Sequence, residues 1–267
     1  MKEALRLEDV HFSYRDQVPV VSAPLSLSRI VMKEQERSVV EGANLSMERG
    51  ETLCIAGLSG QGKSVLLHLI AGLEKPSKGK VCYFGEYLSP EQHNPLEIAR
   101  RGVGMVFQNG ALISNLKVRE NVALPLHYHH LGTPEEIEEK VNRALDLMRV
   151  RSEENKYPHT LSVGMRKRVA IARAWAMDPK LLLMDDPMAG LDNYNRQNLL
   201  PLIDNMRILF KTAIIIVTHD LSLAEDLQCR ISLFRSKLLT EPQSFDYWKH
   251  SEEPMAKELF RGLHRAS

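Results

Sequence analysis

The chain has 267 residues, 43% of them hydrophobic and 26% charged, a balance that excludes intrinsic disorder and a collagen-like fibre. Lys plus Arg number 35 against 34 Asp plus Glu, a formal charge of +1, so no nucleic-acid partner is expected. The apolar runs 181–184 and 214–217 fall far short of the roughly 18–20 residues of a membrane-spanning helix, and the charged start Met1-Lys2-Glu3 is no secretory signal.

Segments 52–56, 103–107, 181–184 and 214–217 are apolar runs, each followed at once by small or polar residues. Strands buried on both faces of a mostly parallel sheet read this way, and ligands of such sheets gather at the strands' carboxyl ends. The first run leads into Gly57-Leu58-Ser59-Gly60-Gln61-Gly62-Lys63-Ser64, which fits G-x-x-x-x-G-K-[ST] at every specified position, and then, from Val65, into an apolar helix. In that context the backbone amides and the helix amino end cradle phosphates, Lys63 reaches the β- and γ-phosphates, and the Ser64 hydroxyl ligates Mg²⁺. Gln108 closes the second run.

A helix-rich insertion is expected over 109–175. Within it Thr133-Pro134-Glu135-Glu136 offers a cap, a first-turn proline and a capping-box glutamate, and Ile137, Val141, Ala144, Leu145 and Met148 recur at helical spacing. His127, His129 and His130 read as surface loop rather than a metal site. Beyond the insertion, 181–184 ends in Asp185, a carboxylate placed to hold Mg²⁺ through water, and Asp186 follows where a base or water-positioning group is useful. The run 214–217 delivers His219 to the same edge, where it is expected to contact the γ-phosphate. The tail 241–267 reads as short helices docked on the main domain, Trp175 and Trp248 as packing residues, and Cys54, Cys82 and Cys229 as buried thiols.

Over about 40–240 the chain resembles the ATP-binding cassette ATPases, the nucleotide-binding subunits of ABC transporters. Besides the phosphate loop and acidic strand, Gln108 matches the family's Q-loop glutamine. Leu161-Ser162-Val163-Gly164-Met165 is similar to its L-S-G-G-Q signature, Ala189-Gly190-Leu191-Asp192 to its D-loop and His219 to its switch histidine. The resemblance implies an α/β fold with a P-loop NTPase parallel core sheet, an amino-terminal antiparallel β subdomain and a helical insertion subdomain. It implies one ABC ATPase domain over 1–267: a core with its β subdomain at 1–108 and 176–240, a helical signature segment at 109–175 and a helical tail at 241–267.

ATP and Mg²⁺ are the implied ligands, and a head-to-tail homodimer the implied assembly. Residues 57–65 would bind nucleotide, with Ser162 and Gly164 facing the partner's γ-phosphate. Ser64, Gln108 and Asp185 would hold the metal, while Asp186, His219, Gln108 and Lys63 would carry catalysis. The cations Arg166, Lys167 and Arg168 would crowd a helix amino end until the phosphate relieves them, unless they form a solvated face, as at least one of them is expected to do.

Three departures stand out: Val163 and Met165 in the signature, and Asp186 where the family has glutamate. The last withdraws the carboxylate by one methylene and implies slow hydrolysis. Tyr14 is the candidate adenine contact, but it lies far ahead of Gly57. Either a stretch is inserted after Tyr14, or an extra hairpin precedes a strand at 27–32 that lacks the aromatic.

Residues 107–112 and 116–126, the Leu-Ser-x-Gly-Met signature and Phe260-Arg261-Gly262-Leu263 resemble the Mla-type ATPases of MCE phospholipid-transport systems. That branch implies an integral membrane permease seated in the groove after Gln108, an MCE-domain periplasmic component, and a place on the cytoplasmic face of the inner membrane. The open alternatives are a regulator that binds ATP with little hydrolysis, and an ABC importer or exporter of another substrate class.

Overall fold

The computed structural model describes residues 3–22 and 29–263. Two sheets face each other. The first is antiparallel, in the order β2-β1-β4-β5, built from β1 (Glu3–Ser22), β2 (Arg29–Glu48), β4 (Lys78–Tyr83) and β5 (Glu86–Tyr87). The second has the order β10-β9-β3-β8-β7-β6, from β3 (Thr52–Ala56), β6 (Val103–Val106), β7 (Leu181–Asp185), β8 (Ala213–Thr218), β9 (Arg230–Arg235) and β10 (Leu238–Leu239). All its pairings are parallel except the edge pair β9 and β10.

The runs at β3, β7 and β8 are buried along their whole length, and successive side chains divide between two cores. Leu53, Ile55, Leu181, Leu183, Ile215 and Val217 point toward the antiparallel sheet and α1 (Lys63–Ile70). Cys54, Ala56, Leu182, Met184, Ile214 and Ile216 point the other way, into the larger, helical core. There they meet α3 (Val118–Tyr128), α5 (Val163–Trp175) and α6 (Asn193–Phe210), with α4 (Pro134–Leu147) packed on α3 and α5. The shorter helices are α2 (Pro95–Arg100), α7 (Ser222–Asp226), α8 (Phe245–Lys249) and α9 (Pro254–Leu263).

Local chemistry sets the helix starts. Thr133 and Glu136 form the expected capping box on α4, and Ser162 caps α5 through Met165 N. In the tail, Trp248, Met255, Ala256, Leu259 and Phe260 are buried in the helical core, and Trp248 Nε1 donates to the Ile231 carbonyl at 2.8 Å. Trp175 is buried edge-on against Phe210, and all three cysteines are buried free thiols.

One expectation is corrected, and the choice left open at the amino end is decided. The histidine cluster is not loop: His127 lies in the last turn of α3, His129 caps that helix, and only His130, at φ 55°, leaves it. Pro125 does not end α3, because the apolar stripe Val118, Val122, Leu126 carries it on into the core. Among the described residues no cluster of His, Cys, Asp or Glu is placed to hold a metal. At the amino end, β1 runs through Tyr14 to Ser22 and β2 returns from Arg29, with Tyr14 opposite Arg37. The insertion therefore follows Tyr14 as an extension of the first hairpin, and Arg29 to Met32 open its return strand; Leu27 lies outside the described residues. Residues 32–37 are exposed, so no buried face imposes an alternation by which the sequence would reveal these strands.

Candidate nucleotide site

The loop between β3 and α1 needs its glycines for two distinct reasons. A Cβ on Gly57 would lie 2.5 Å from the Phe234 carbonyl oxygen, and one on Gly62 2.5 Å from Val39 Cγ1. Gly60 and Gly62 also hold φ of 77° and 106°, where side chains are strained. Gly62 is the N-cap of α1 and no side chain caps the helix, so the first-turn amides face the loop with the positive end of the helix dipole behind them. Leu58 and Val65 pack their side chains on the two cores and offer a ligand only their backbone, whereas Ser59 is exposed. The Gln61 Oε1 is buried without a partner.

Lys63 is buried, and its Nζ donates to the carbonyls of Gly57 and Leu58, each at 2.8 Å. Burial lowers its pKa against the opposing pull of Asp186 and Asp185. An ammonium so placed is a donor at the centre of the phosphate cradle.

The ends of β7 and β8 complete the site. Asp185, buried, accepts from Ser64 Oγ at 3.1 Å across the 121 residues that separate them. Burial raises its pKa and the Ser64 hydrogen bond opposes the rise. A hydroxyl beside a strand-end carboxylate is the hard-oxygen pair that suits Mg²⁺. Asp186 then turns the chain at φ 41°, its N–H donating to the Val217 carbonyl at 2.8 Å. Its Oδ1 accepts from Thr218 Oγ1 at 3.1 Å, and its Oδ2 lies 2.8 Å from His219 Nδ1. Lys63, Ser64, Asp185, Asp186 and His219 thus share one edge of the sheet.

Gln108 lies at the carboxyl end of the neighbouring β6, whereas Tyr14, Ser162 and Gly164 belong to other elements. Gln108, two residues past β6, offers its carbonyl to Lys167 Nζ at 2.6 Å and lines a cleft of about 420 Å³ with Asn109, Arg166, Lys167, Ala189 and Gly190. Tyr14 belongs to the antiparallel sheet, half-buried, edge-on to Phe12 at 4.9 Å and with the Arg37 guanidinium 5.5 Å from its ring centre. Ser162 uses its hydroxyl as the α5 cap, 3.2 Å from Met165 N, and Gly164 lies against Asn195 at the start of α6.

The cation trio also differs from expectation. Arg166 donates to the Leu161 carbonyl at 2.6 Å, Lys167 is buried, and Arg168 has its pKa lowered by burial and by Arg149. The first two spend their protons on backbone carbonyls rather than crowding the helix amino end, an arrangement that only the folded neighbours supply.

Residues invisible to motif reading also shape the edge. Thr218 holds both the Asp186 carboxylate and the Asp220 N–H, at 3.1 and 3.0 Å. Arg196 of α6 bonds Asp220 and Ser222, tying the turn after His219 to the helix after the D-loop. Beside the edge, between the core and α3 and α5, lies a largely apolar cavity of about 590 Å³ lined by Leu73, Leu96, Met105, Phe107, Leu124 and Tyr128.

A phosphate loop feeding a helix, strand-end carboxylates at the carboxyl edge of a parallel sheet and a helical insertion define a P-loop ATPase. The chain belongs to the ABC transporter family, whose sequence model matches residues 40–189. It is 31% identical over 237 residues to the methionine import ATP-binding protein MetN of Haemophilus influenzae, covering 88% of this chain and 68% of that protein. It is 37% identical over 193 residues to the sulfate/thiosulfate import ATP-binding protein CysA of Mesostigma viride, covering 72% of this chain and 54% of that one. A dimeric ATP-binding cassette in a post-hydrolysis state with ADP and phosphate superposes with a TM-score of 0.75 at 28% identity, covering 90% of this chain and 98% of that one. The protein is an ABC ATPase that binds ATP with Mg²⁺.

Proposed function

We propose that this chain is the energy-coupling subunit of an ABC transporter, two copies closing head to tail on ATP to drive a membrane permease. The observation that carries the reading is the shared edge of Lys63, Ser64, Asp185, Asp186 and His219 beside an apolar cavity open to a partner's helix. On it, Lys63 and the amides of 57–65 would hold the phosphates, Ser64 and Asp185, with Gln108, would hold Mg²⁺, and Asp186, steadied by Thr218 and His219, would orient the attacking water. Mg²⁺ when bound neutralises charge developing on the phosphate oxygens. Ser162 and Gly164 would close on the partner's γ-phosphate, and Tyr14 is the candidate for adenine. A permease helix in the cavity after Gln108 would seat the subunit on the cytoplasmic face of the membrane; among the described residues no helix is long and apolar enough to cross one.

The transported substrate has two readings. Resemblance of 107–112, 116–126 and 260–263 to Mla-type ATPases is the sole support for phospholipid transport with an MCE-domain partner. The relatives named for methionine and for sulfate or thiosulfate import favour an importer of another substrate class. Purified protein tests the core reading: Mg²⁺-dependent ATP turnover is expected, and Lys63→Ala abolishes it. Tight ATP binding without turnover in the unaltered chain would favour the regulatory alternative instead. Isolating the complex from its membrane discriminates the substrates, since a co-purifying MCE-domain protein with bound phospholipid supports the first reading and a solute-binding protein the second.

A further inference from the structure

Lys167 has no part in the reading above, yet it is a cation at 5% exposure in the second turn of α5. A buried charge is costly unless acceptors surround it, and an apolar side chain of similar length would fill the same space without that cost. Its Nζ donates to two backbone carbonyls, Gln108 at 2.6 Å and Asp186 at 3.1 Å, with the Asp186 and Asp185 carboxylates as its charged neighbours. Burial still lowers its pKa.

The two carbonyls belong to different parts of the molecule. Gln108 starts the segment leading from β6 toward α3, and α5 fastens the rest of that segment as well. Arg173 donates to Gly110 at 2.8 Å and Ala111 at 2.7 Å, and a Cβ on Gly110 would stand 3.3 Å from Ala170. Residues 108–111 and α5 therefore form one unit, and Lys167 carries the fastening on to the sheet. Its contact there, Asp186, lies in the left-handed backbone region. A non-glycine residue at φ 41° is strained and persists only when its surroundings hold it. The Asp186 carbonyl is held from two sides, by Lys167 and by the Ala189 N–H at 3.1 Å.

We propose that Lys167 is a positioning residue: its ammonium fixes the Asp186 turn, and with it the carboxylate, to the Gln108 segment and α5, so that hydrolysis responds to where the helical part stands. The inference rests on the reading of Asp186 as the hydrolytic carboxylate.

Its test compares Lys167→Met and Lys167→Arg with the unaltered chain. The methionine variant is expected to lose between about ten- and a hundredfold in kcat, as a misplaced catalytic group does, while ATP affinity measured with a fluorescent ATP analogue stays within about twofold. The arginine variant keeps most of kcat because its guanidinium can donate to both carbonyls. Amide hydrogen exchange, read without nucleotide, is expected to quicken in the methionine variant at both 108–111 and 186–191. Unchanged kcat, or affinity falling in step with kcat, would overturn the proposal; so would unchanged exchange in those two segments. If the unaltered chain turns over ATP no faster than Lys63→Ala, the hydrolytic reading fails by itself, and exchange still decides whether Lys167 fixes the turn. Should Lys167→Met not fold, Lys167→Gln, which keeps one neutral donor arm, takes its place under the same criteria.

Discussion

In the proposed reading, the chemistry centres on the single side chain of Asp186. One methylene shorter than the family's glutamate, its carboxylate is gripped by Thr218 on one oxygen and His219 on the other, and its backbone is bent into the left-handed region. These contacts show how an aspartate can be aimed despite its reach. Asp186→Asn keeps the shape and removes the charge, so steady-state assays should find kcat lower by about a hundredfold with ATP affinity retained. The same variant should move to a dimer on a sizing column when ATP is added, since bound nucleotide is no longer consumed. Lys63, Ser64 and Asp185 were legible as a set because a phosphate loop and an acidic strand end are written locally. Lys167 and Thr218 were not, because their roles exist only once residues 19 and 32 positions away fold against them.

Among the elements, α4 and α6 show how stability and site geometry separate. The Thr133 and Glu136 capping box secures α4, whose buried face is Ile137, Val141, Ala144 and Leu145. Thr133→Ala should cost about 1 kcal/mol in urea unfolding and leave ATP turnover unchanged, because α4 packs chiefly on α3 and α5. The start of α6 is different: Arg196 bonds Asp220, beside His219. Burial alone would raise the Asp220 pKa, but the Ser222 hydrogen bonds and Arg196 outweigh it and hold the group below its ordinary 3.8. The unfolded chain then binds the proton more tightly, so this contribution is full above pH 3.8 and disappears as pH falls through the folded value. Accordingly Asp220→Asn should be clearly less stable than the unaltered protein at pH 7, with the gap narrowing in strong acid. A gap that is constant with pH would count against the assignment. The capping box was visible in four consecutive residues, whereas the Arg196 clamp spans 24 positions and has no local signature.

For the whole molecule, two sheets and a helical layer leave a largely apolar cavity of about 590 Å³ at the junction where the Gln108 segment meets α3. Leu124 lies on its rim, 39% exposed. Leu124→Glu should leave the ATP turnover of the isolated chain intact, yet remove the protein from membrane fractions and from complexes isolated through the permease. Retention on the membrane would speak against this face as the seat of the partner.

The sequence by itself determined the parallel-sheet ATPase fold, the phosphate loop, the strand-end carboxylates and the capped helices, since each depends on residues close together in the chain. Only the tertiary structure decided that the insertion after Tyr14 is a lengthened hairpin, since strands exposed to solvent carry no buried alternation. It also decided that the histidine cluster begins inside α3, that Arg166 and Lys167 are spent on carbonyls, and that Asp186 is held by Thr218 and His219. Those arrangements depend on which distant groups desolvate and satisfy one another, and that is fixed by packing rather than by any stretch of sequence.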